Sequence, residues 1–411
     1  MVATSDRIAQ GVSGEGGRGL AAWAPDSAVS LQIALAALGF RVVSAILAFL
    51  TLLAFPLARP EPATFGAPSA FWDQFTRFDS GWYYQIARYG YSFVPGGPSV
   101  GVGKPGKIAY FPLYPLLMRF AGRLFGRTPL DVYLGGILVS WVAFAAAMVV
   151  LYRLARLDLP RRRAHRAVLL TATFPFSFFF GLVYTESLFL LLALAAFYAF
   201  RTRRWMPGAL AGGLATATRV NGVLILPALA WIAWRAARPT LRDRTRAAAA
   251  LLCVPAGIVA YSFFVYRLSG NPFEWAASIS RWGYYPGRTP WRAPVDLLSE
   301  LLTHPYVFLA SQPMALYDTL YGVTALLFAA SIPVVWRKFG AGYGLFMLLN
   351  LYVPLSSGAF EGLGRYCSVL FPAFIWLASI RSRHLHTALV VVFALFYTLG
   401  LALFATVRPL F

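Results

Sequence analysis

The topology of this chain depends on the stretch Tyr110-Phe-Pro-Leu-Tyr-Pro-Leu-Leu-Met-Arg-Phe-Ala-Gly-Arg-Leu-Phe125. Its apolar content is that of a short membrane span, but Arg119 and Arg123, four residues apart, would give a helix one charged face. A charged face beside an apolar one is typical of a helix that lies at the membrane interface. We therefore predict an interfacial helix over 110–126. A span there would place the next Arg-rich loop, 153–166, outside; the interfacial helix places it inside.

The composition is that of an integral membrane protein. Of the 411 residues, 59% are hydrophobic and 12% are charged, whereas soluble domains carry about 25% charged residues. The formal net charge of +21 comes mostly from arginines in short loops between apolar runs, which is the pattern of cytoplasmic loops. The positive charge therefore indicates a lipid bilayer as partner and gives no reason to expect nucleic acid.

Apolar runs of about 20 residues predict an all-α polytopic bundle. Eleven spans are expected, at about 31–58, 131–152, 167–183, 185–200, 206–219, 222–236, 247–267, 313–336, 341–356, 367–380 and 385–405. Residues 1–28 are predicted to form a disordered cytoplasmic tail, and 29–411 a transmembrane domain with two long outer loops, 59–131 and 268–312. Arg41, in the first span, is expected to snorkel to the interface or to pair inside the bundle.

The first outer loop carries a dense group of polar and aromatic side chains, Phe71-Trp-Asp-Gln-Phe-Thr-Arg-Phe-Asp-Ser-Gly-Trp-Tyr-Tyr-Gln-Ile-Ala-Arg-Tyr-Gly-Tyr91. Carboxylates among aromatic rings at a membrane face suit a polar, ring-shaped ligand such as a sugar. In the predicted topology, other unusual polar residues lie in turns or at helix ends on the same face. The candidate site residues are Asp79 as the catalytic group, and Arg77, Trp82, Tyr83, Glu186, Arg219, Asn221, Arg365 and Tyr366 as binding residues.

Each candidate also has a purely structural interpretation. Asp79 could pair with a neighbouring arginine, and Glu186 could be a carboxylate favoured at a helix N-terminus after a threonine cap. Arg219 and Arg365 could be interfacial anchors, although an arginine beside a glycine turn is also suited to clamp a phosphate. The tryptophans and tyrosines of 71–91 could form an interfacial aromatic belt.

Five segments, taken in order, resemble the PIG-V mannosyltransferases, polytopic enzymes that add the second mannose in glycosylphosphatidylinositol assembly and have many bacterial relatives. These segments are Arg77-Phe-Asp-Ser-Gly-Trp-Tyr-Tyr-Gln-Ile-Ala-Arg-Tyr-Gly-Tyr91, Ala109-Tyr-Phe-Pro-Leu-Tyr-Pro115, Tyr184-Thr-Glu-Ser-Leu-Phe189, Thr218-Arg-Val-Asn-Gly222 and Gly364-Arg-Tyr366.

The resemblance implies a membrane fold of the GT-C type, a polyprenyl-phosphate sugar donor and an essential aspartate in the first outer loop. Only Asp79 matches that aspartate; Phe78 stands where the family has tryptophan, and Tyr110 where it has phenylalanine. The acceptor would be a lipid-linked or surface glycan. The Arg- and Ala-rich chain is typical of a bacterial plasma-membrane protein, with its N-terminus cytoplasmic and its site on the outer face.

The chemistry of such a transfer agrees with the candidate residues. A donor with a prenyl tail stays in the bilayer, so the enzyme needs an interfacial pocket, a cationic clamp for the leaving phosphate and a base for the acceptor hydroxyl. Asp79 is the expected base, and a single displacement would invert the anomeric centre. Without a nucleotide diphosphate as leaving group there is less need for a divalent ion, and the four histidines form no set with metal-ligand spacing. No cofactor is expected.

Two other functions remain open at the level of the sequence. A transporter or flippase of lipid-linked sugars would place charges at mid-membrane and often shows internal repeats, but the segment around Asp79 has no repeat in the second half. An oligosaccharide ligase would share the lipid-phosphate donor and transfer a whole chain. A large second outer domain would favour a ligase, and the loop 268–312 is modest.

Overall fold

A computed structural model describes residues 27–58, 64–65, 69–93, 106–281, 289–306, 313–360 and 362–408. Nearly all of the predicted cytoplasmic tail, 1–26, lies outside these residues, as do parts of both predicted outer loops.

The fold is all-α, as predicted, and no β-strand occurs within the described ranges. The α-helices of these ranges are α1 (Ser27–Ala54), α2 (Ser80–Tyr89), α3 (Leu113–Gly122), α4 (Pro129–Arg156), α5 (Arg161–Thr173), α6 (Glu186–Arg201), α7 (Trp205–Thr216), α8 (Leu226–Ala236), α9 (Leu241–Cys253), α10 (Ala256–Ser269), α11 (Glu274–Arg281), α12 (Arg292–Thr303), α13 (Pro313–Phe339), α14 (Ala341–Leu355), α15 (Leu363–Ser368), α16 (Phe371–Ser379) and α17 (Arg383–Ala405). Short 3₁₀ helices occur at Ser69–Phe75, Lys107–Ala109, Ser177–Gly181 and Val220–Ile225.

Several helical segments of the described residues are long and apolar enough to cross a membrane. They are Ser27–Ala54, Pro129–Arg156, Leu241–Ser269, Tyr317–Phe339 and Arg383–Ala405. The predicted total of eleven spans is not confirmed, because the other apolar segments form shorter helices, such as α6 with 16 residues and α16 with 9.

Proline explains why some predicted spans are divided. The span expected at 167–183 is instead α5 followed by the 3₁₀ helix Ser177–Gly181. Phe174 leaves the helical conformation with ψ 140°, since the residue before a proline, here Pro175, is disfavoured in the α region. Likewise, the span expected at 367–380 is interrupted, and α16 starts anew with Pro372 in its first turn.

Helix α3 lies within the stretch 110–126, on which the predicted topology depends. Its 10 residues extend about 15 Å, half the hydrocarbon thickness of a bilayer. Tyr114 and Met118 are fully buried on one side of it. The helix lies against α4, where a Cβ on Gly135 would be 2.3 Å from the backbone nitrogen of Gly122. Because only glycine permits this approach, the contact fixes α3 beside the start of α4; its position in the interface remains a prediction.

The centre of the bundle is α4, which packs against α1, α3 and α6. Arg41 of α1 points into this core with 1% of its surface exposed, and its guanidinium donates to the carbonyl of Ser177 at 3.0 Å. The same guanidinium lies 4.2 Å from the ring centroid of Phe144. Arg41 therefore pairs inside the bundle and does not snorkel, since its charge is stabilised by an aromatic face and a carbonyl.

We predict that membrane-impermeant maleimide added from outside labels cysteines at Gln85 and Ser299 but not at Arg162 or Arg242. These four side chains are exposed, and Arg-rich segments are retained on the inner side. The measurement is labelling of intact cells in a Cys253→Ala background, because Cys253 is an exposed free thiol. Lysed cells are the control, in which all four positions should react. Outside labelling at position 162 would show that the stretch 110–126 crosses the membrane.

Candidate functional site

Asp79 lies at a strained turn that directs its carboxylate away from its own helix. The preceding Phe78 has a φ of 54°, a left-handed conformation that is unfavourable for a bulky residue. Its ring packs at 5.2 Å against Phe404, which holds the turn in place. Asp79 occupies the N-cap position of α2 but makes no capping bond with its side chain. The carboxylate is thus available for tertiary contacts.

Two donors from distant parts of the chain bind the Asp79 carboxylate. The hydroxyl of Tyr110 donates to Oδ1 at 3.1 Å, and Nη1 of Arg365 donates to Oδ2 at 2.7 Å. The hydroxyl of Tyr184 lies 3.3 Å from the Asp79 backbone nitrogen and 3.3 Å from the carbonyl of Arg77. The turn is therefore fixed on both its backbone and its side chain.

Glu186 is the first residue of α6, and only 1% of it is exposed. Its Oε1 accepts from Nη1 of Arg219 at 2.8 Å and lies 3.3 Å from Nε of Arg365. Its Oε2 has no hydrogen-bond partner among the described residues. Thr185 makes no side-chain capping bond, so the interpretation of Glu186 as part of an ordinary capped N-terminus does not describe its contacts.

Arg365 of α15 connects the two carboxylates. Its side chain is 12% exposed and reaches both Asp79 and Glu186. Burial alone would lower the pKa of the Arg365 guanidinium, but the two carboxylates hold this pKa well above its ordinary value. The ring of Tyr366 lies 5.9 Å from the Arg365 guanidinium and 5.0 Å from that of Arg219. Two anions and two cations are therefore held together, with aromatic faces beside the cations.

This buried ionic cluster, Asp79, Glu186, Arg219 and Arg365, lies on the wall of a cavity of about 330 Å³. That volume is within the range of small-molecule sites, roughly 300–1,000 Å³. Of the binding residues expected from the sequence, the cavity wall includes Tyr83, Glu186, Arg219, Asn221, Arg365 and Tyr366. The structure thus brings together side chains that are up to 287 positions apart, from Asp79 to Tyr366.

Neutral hydrogen-bond donors also line the cavity. Burial, followed by the charge of Asp79, raises the pKa of both Tyr83 and Tyr110 above the ordinary phenol value. Both residues are therefore neutral at physiological pH and can donate hydrogen bonds. Asn221 is 6% exposed, and its Nδ2 has no hydrogen-bond partner among the described residues. A buried amide that lines a cavity without a partner is well placed to donate to a ligand.

Two of the expected binding residues do not line the cavity. Trp82 stacks on Tyr110 with ring centroids 5.9 Å apart and so helps to hold this wall residue in place. Arg77 is buried, with 4% exposed, and its carbonyl accepts from Ser80 at 2.8 Å. Their assignment as binding residues stays a prediction that the geometry does not favour.

Tyr110, Tyr184 and Trp275 are among the residues of the site that were not assigned from the sequence. Tyr110 and Tyr184 were both inside the motifs that carry the resemblance, so a signal for them existed. Trp275 lies on the cavity wall and donates from its indole to Ser262 at 2.9 Å. It belongs to α11, within the predicted second outer loop, where no motif marks it.

Asp73, the other acidic residue of the first loop, has a different environment. Its Oδ1 accepts from the backbone nitrogen of Phe65 at 2.8 Å, and burial raises its pKa. It is not part of the cavity wall. Its contacts are those of a residue that orders the loop.

Among the described residues, no three or more His, Cys, Asp or Glu side chains are grouped as ligands for a metal ion.

Comparison with known proteins adds one family match. Residues 104–263 match the family described as dolichyl-phosphate-mannose-protein mannosyltransferase. The match covers less than half of the 411 residues and includes Tyr110, Glu186, Arg219 and Asn221, but not Asp79 or Arg365. It supports membrane glycosyltransferases as the class to which this chain is similar. Specificity for mannose and membership of the PIG-V family are not decided by it.

No curated protein matches the chain. Among solved structures, the apo form of the oligosaccharyltransferase of Archaeoglobus fulgidus is 12% identical, with a TM-score of 0.43, over 91% of this chain and 56% of that one. The same enzyme in complex with Zn and sulfate is 11% identical, with a TM-score of 0.42, over 90% and 53%. The chain thus spans little more than half the length of these proteins. Likeness at this level defines neither fold nor function.

We predict that Glu186→Gln destabilises the protein by about 3–5 kcal/mol, because it leaves two buried guanidiniums without their shared anion. The measurement is thermal or denaturant unfolding of the purified protein in detergent. Asp296→Asn is the matched control, since its pair with Arg292 is 3.7 Å long and its side chain is 68% exposed. That change should cost less than about 1 kcal/mol. Equal losses for the two variants would contradict the structural importance of the ionic cluster.

Proposed function

We propose that the protein is a membrane glycosyltransferase of the GT-C type. In this proposal it moves a hexose, specifically mannose, from a polyprenyl-phosphate donor to a lipid-linked or glycan acceptor at the outer face of a bacterial plasma membrane. The observation that supports it best is the placement of Asp79, in a strained turn on the cavity wall, where it pairs with Arg365 and shares that wall with Arg219. The family match over 104–263 supports the same class.

Asp79 serves as the general base in this mechanism. The acceptor hydroxyl oxygen attacks the anomeric carbon, its proton passes to the Asp79 carboxylate, and the bond from that carbon to the phosphate oxygen breaks. The bonding electrons leave with the lipid phosphate, and the anomeric configuration inverts. An ionised carboxylate offers about four acceptor sites, and Tyr110 and Arg365 use two of them. The carboxylate can therefore still accept the hydroxyl of the acceptor.

Arg219 and Arg365 hold the donor phosphate in this mechanism. Each guanidinium has five N–H donors in a planar fork that matches phosphate oxygens. In the absence of donor, Glu186 and Asp79 occupy part of each fork. A phosphate that enters the cavity competes with these carboxylates for the same N–H groups. Donor binding would thus release Asp79 Oδ2 from Arg365 and free a further acceptor site on the base.

Glu186 then has a positioning role. It lies between the two arginines and contacts both, so it sets the distance between their forks. The acceptor sugar would be held by Tyr83, Asn221 and Tyr366, which line the same cavity and offer amide and phenol donors with an aromatic face.

The two alternative functions have less support in the structure. A transporter or flippase would keep its polar groups along a path through the bilayer, whereas Asp79, Glu186, Arg219 and Arg365 are gathered in one cluster on one cavity wall. An oligosaccharide ligase needs room for a glycan chain. A cavity of about 330 Å³ is at the lower end of small-molecule sites and suits a single sugar better.

Asp79→Asn should reduce sugar transfer by about 10²-fold or more, the usual scale for loss of a general base, while donor binding stays near normal. The measurement is transfer from synthetic prenyl-phosphate sugars to lipid acceptors in purified membranes. Asp73→Asn is the control and should be milder, because Asp73 contacts the backbone of Phe65 outside the cavity. Wild-type activity in Asp79→Asn would refute the assignment of the base. Energy-independent movement of a lipid-linked sugar across vesicle membranes, with no sugar transfer, would favour the flippase.

Arg219→Lys and Arg365→Lys should each lower transfer by a factor that corresponds to about 2–4 kcal/mol in the transition state, because lysine cannot form the planar fork. The measurement is kcat/KM for the donor, and chelators should leave the wild type active. Arg281→Lys is a control from the second outer loop, where Arg281 pairs with Glu274 outside the cavity wall. Silent lysine variants together with activity that chelators abolish would show that a metal ion holds the phosphate.

A further inference from the structure

A second cavity, of about 680 Å³, lies at the other end of α2 and has a strongly basic lining. Its wall shares no residue with that of the first cavity. Four arginines line it, from the end of α2, from α3 and from the turn before α4: Arg88, Arg119, Arg123 and Arg127. We call it the arginine basin. The C-terminal end of α2 forms one side of the basin, and Asp79 lies at the N-terminal end of the same helix.

The positive charge of the basin is not balanced by protein groups. Within the described part of the chain, none of its four guanidiniums has a carboxylate at ion-pair distance. Asp131 is close by, but its Oδ2 accepts from the backbone and hydroxyl of Thr128, both at 2.7 Å. Arg119 lies in the last turn of α3 and Arg123 at its C-cap, four residues apart, and like charges at this spacing repel each other. An anion bound between the guanidiniums would remove this repulsion.

Apolar side chains of α3 and of the turn that follows it flank the basin. Leu116, Phe120 and Leu124 are 47%, 57% and 77% exposed. They follow each other at intervals of four, so they form a stripe next to the one that carries Arg119 and Arg123. The guanidinium of Arg123 lies 5.0 Å from the ring centroid of Phe120, which joins the two stripes. A ligand with an anionic head group and hydrocarbon chains could contact both sets of side chains, the head group at the arginines and the chains at the apolar residues.

We propose that the arginine basin binds the phosphate head group of an anionic membrane lipid, whose acyl chains lie along Leu116, Phe120 and Leu124. Phosphate is the fitting anion because guanidinium forks bind its oxygens in pairs. The inference does not depend on the transferase proposal, since the two cavities have separate walls. The bound lipid would hold α3 at the membrane surface beside the first cavity.

The test is a titration of the full chain with phosphatidylglycerol in neutral detergent. Native mass spectrometry measures how much lipid is bound at each step. Arg119→Gln/Arg123→Gln should weaken binding about 25-fold, since each arginine near an anionic lipid surface contributes a factor of about five. The matched control is Arg242→Gln/Arg246→Gln, an exposed pair with the same spacing on α9, and its affinity should stay within about twofold of the wild type. Arg127→Gln, outside any helix, provides a second variant, with an expected loss of about fivefold.

The competing explanations give different results in the same titration. Equal weakening by the basin and control variants would mean unspecific attraction to a basic surface and would overturn the proposal. Equal affinity for phosphatidylcholine would mean apolar adhesion alone and would also overturn it. Displacement of phosphatidylglycerol by millimolar inorganic phosphate would assign the basin to a free anion instead. The expected result is that only the basin variants lose binding. Inorganic phosphate should not displace phosphatidylglycerol from the wild type.

Discussion

The buried ionic cluster is the interaction on which the candidate site depends. Asp79 comes from the turn before α2, Glu186 from the start of α6, Arg219 from the turn after α7 and Arg365 from α15. None of them is stable in this environment alone, because an unpaired buried charge costs several kcal/mol. Pairing therefore requires that four separate segments reach one place. When these charges pair, the four segments that carry them come together and form this part of the cavity wall.

Such an arrangement is useful to a protein that binds an anionic lipid substrate. In the proposed mechanism, the cations are held in position and partly satisfied before a donor phosphate binds, so little reorganisation would be needed. The aromatic rings of Tyr366 and Tyr184 beside the guanidiniums lend further stabilisation without competing for hydrogen bonds. The left-handed turn at Phe78 shows that some backbone strain is accepted to direct Asp79 into the cavity.

Helix α2 links the two polar sites of the protein. Asp79 occupies the N-cap position of α2 at the first cavity, and Arg88 lies in the last turn of this helix at the arginine basin. Its 10 residues extend about 15 Å, so a lipid head group in the basin and a sugar in the cavity would be held a few residues apart on one short, rigid element. Helix α3, clamped to α4 through Gly122 and Gly135, fixes the other side of the basin.

The sequence by itself determined the all-α class, the short helix within 110–126 and the charged residues of the cavity wall. The first two follow from local patterns, and the third from charged residues that an apolar chain places at helix ends and turns. It could not determine the length of each helix, because prolines such as Pro175 act through backbone conformations that hydropathy does not report. Nor could it reveal which charge pairs with which: Arg77 stands two positions from Asp79, yet the partner is Arg365, 286 positions away. Only tertiary structure decided that pairing, and with it the burial of Arg77 and the position of Trp275 on the cavity wall, because side-chain contacts across a bundle depend on how helices pack and not on their order in the chain.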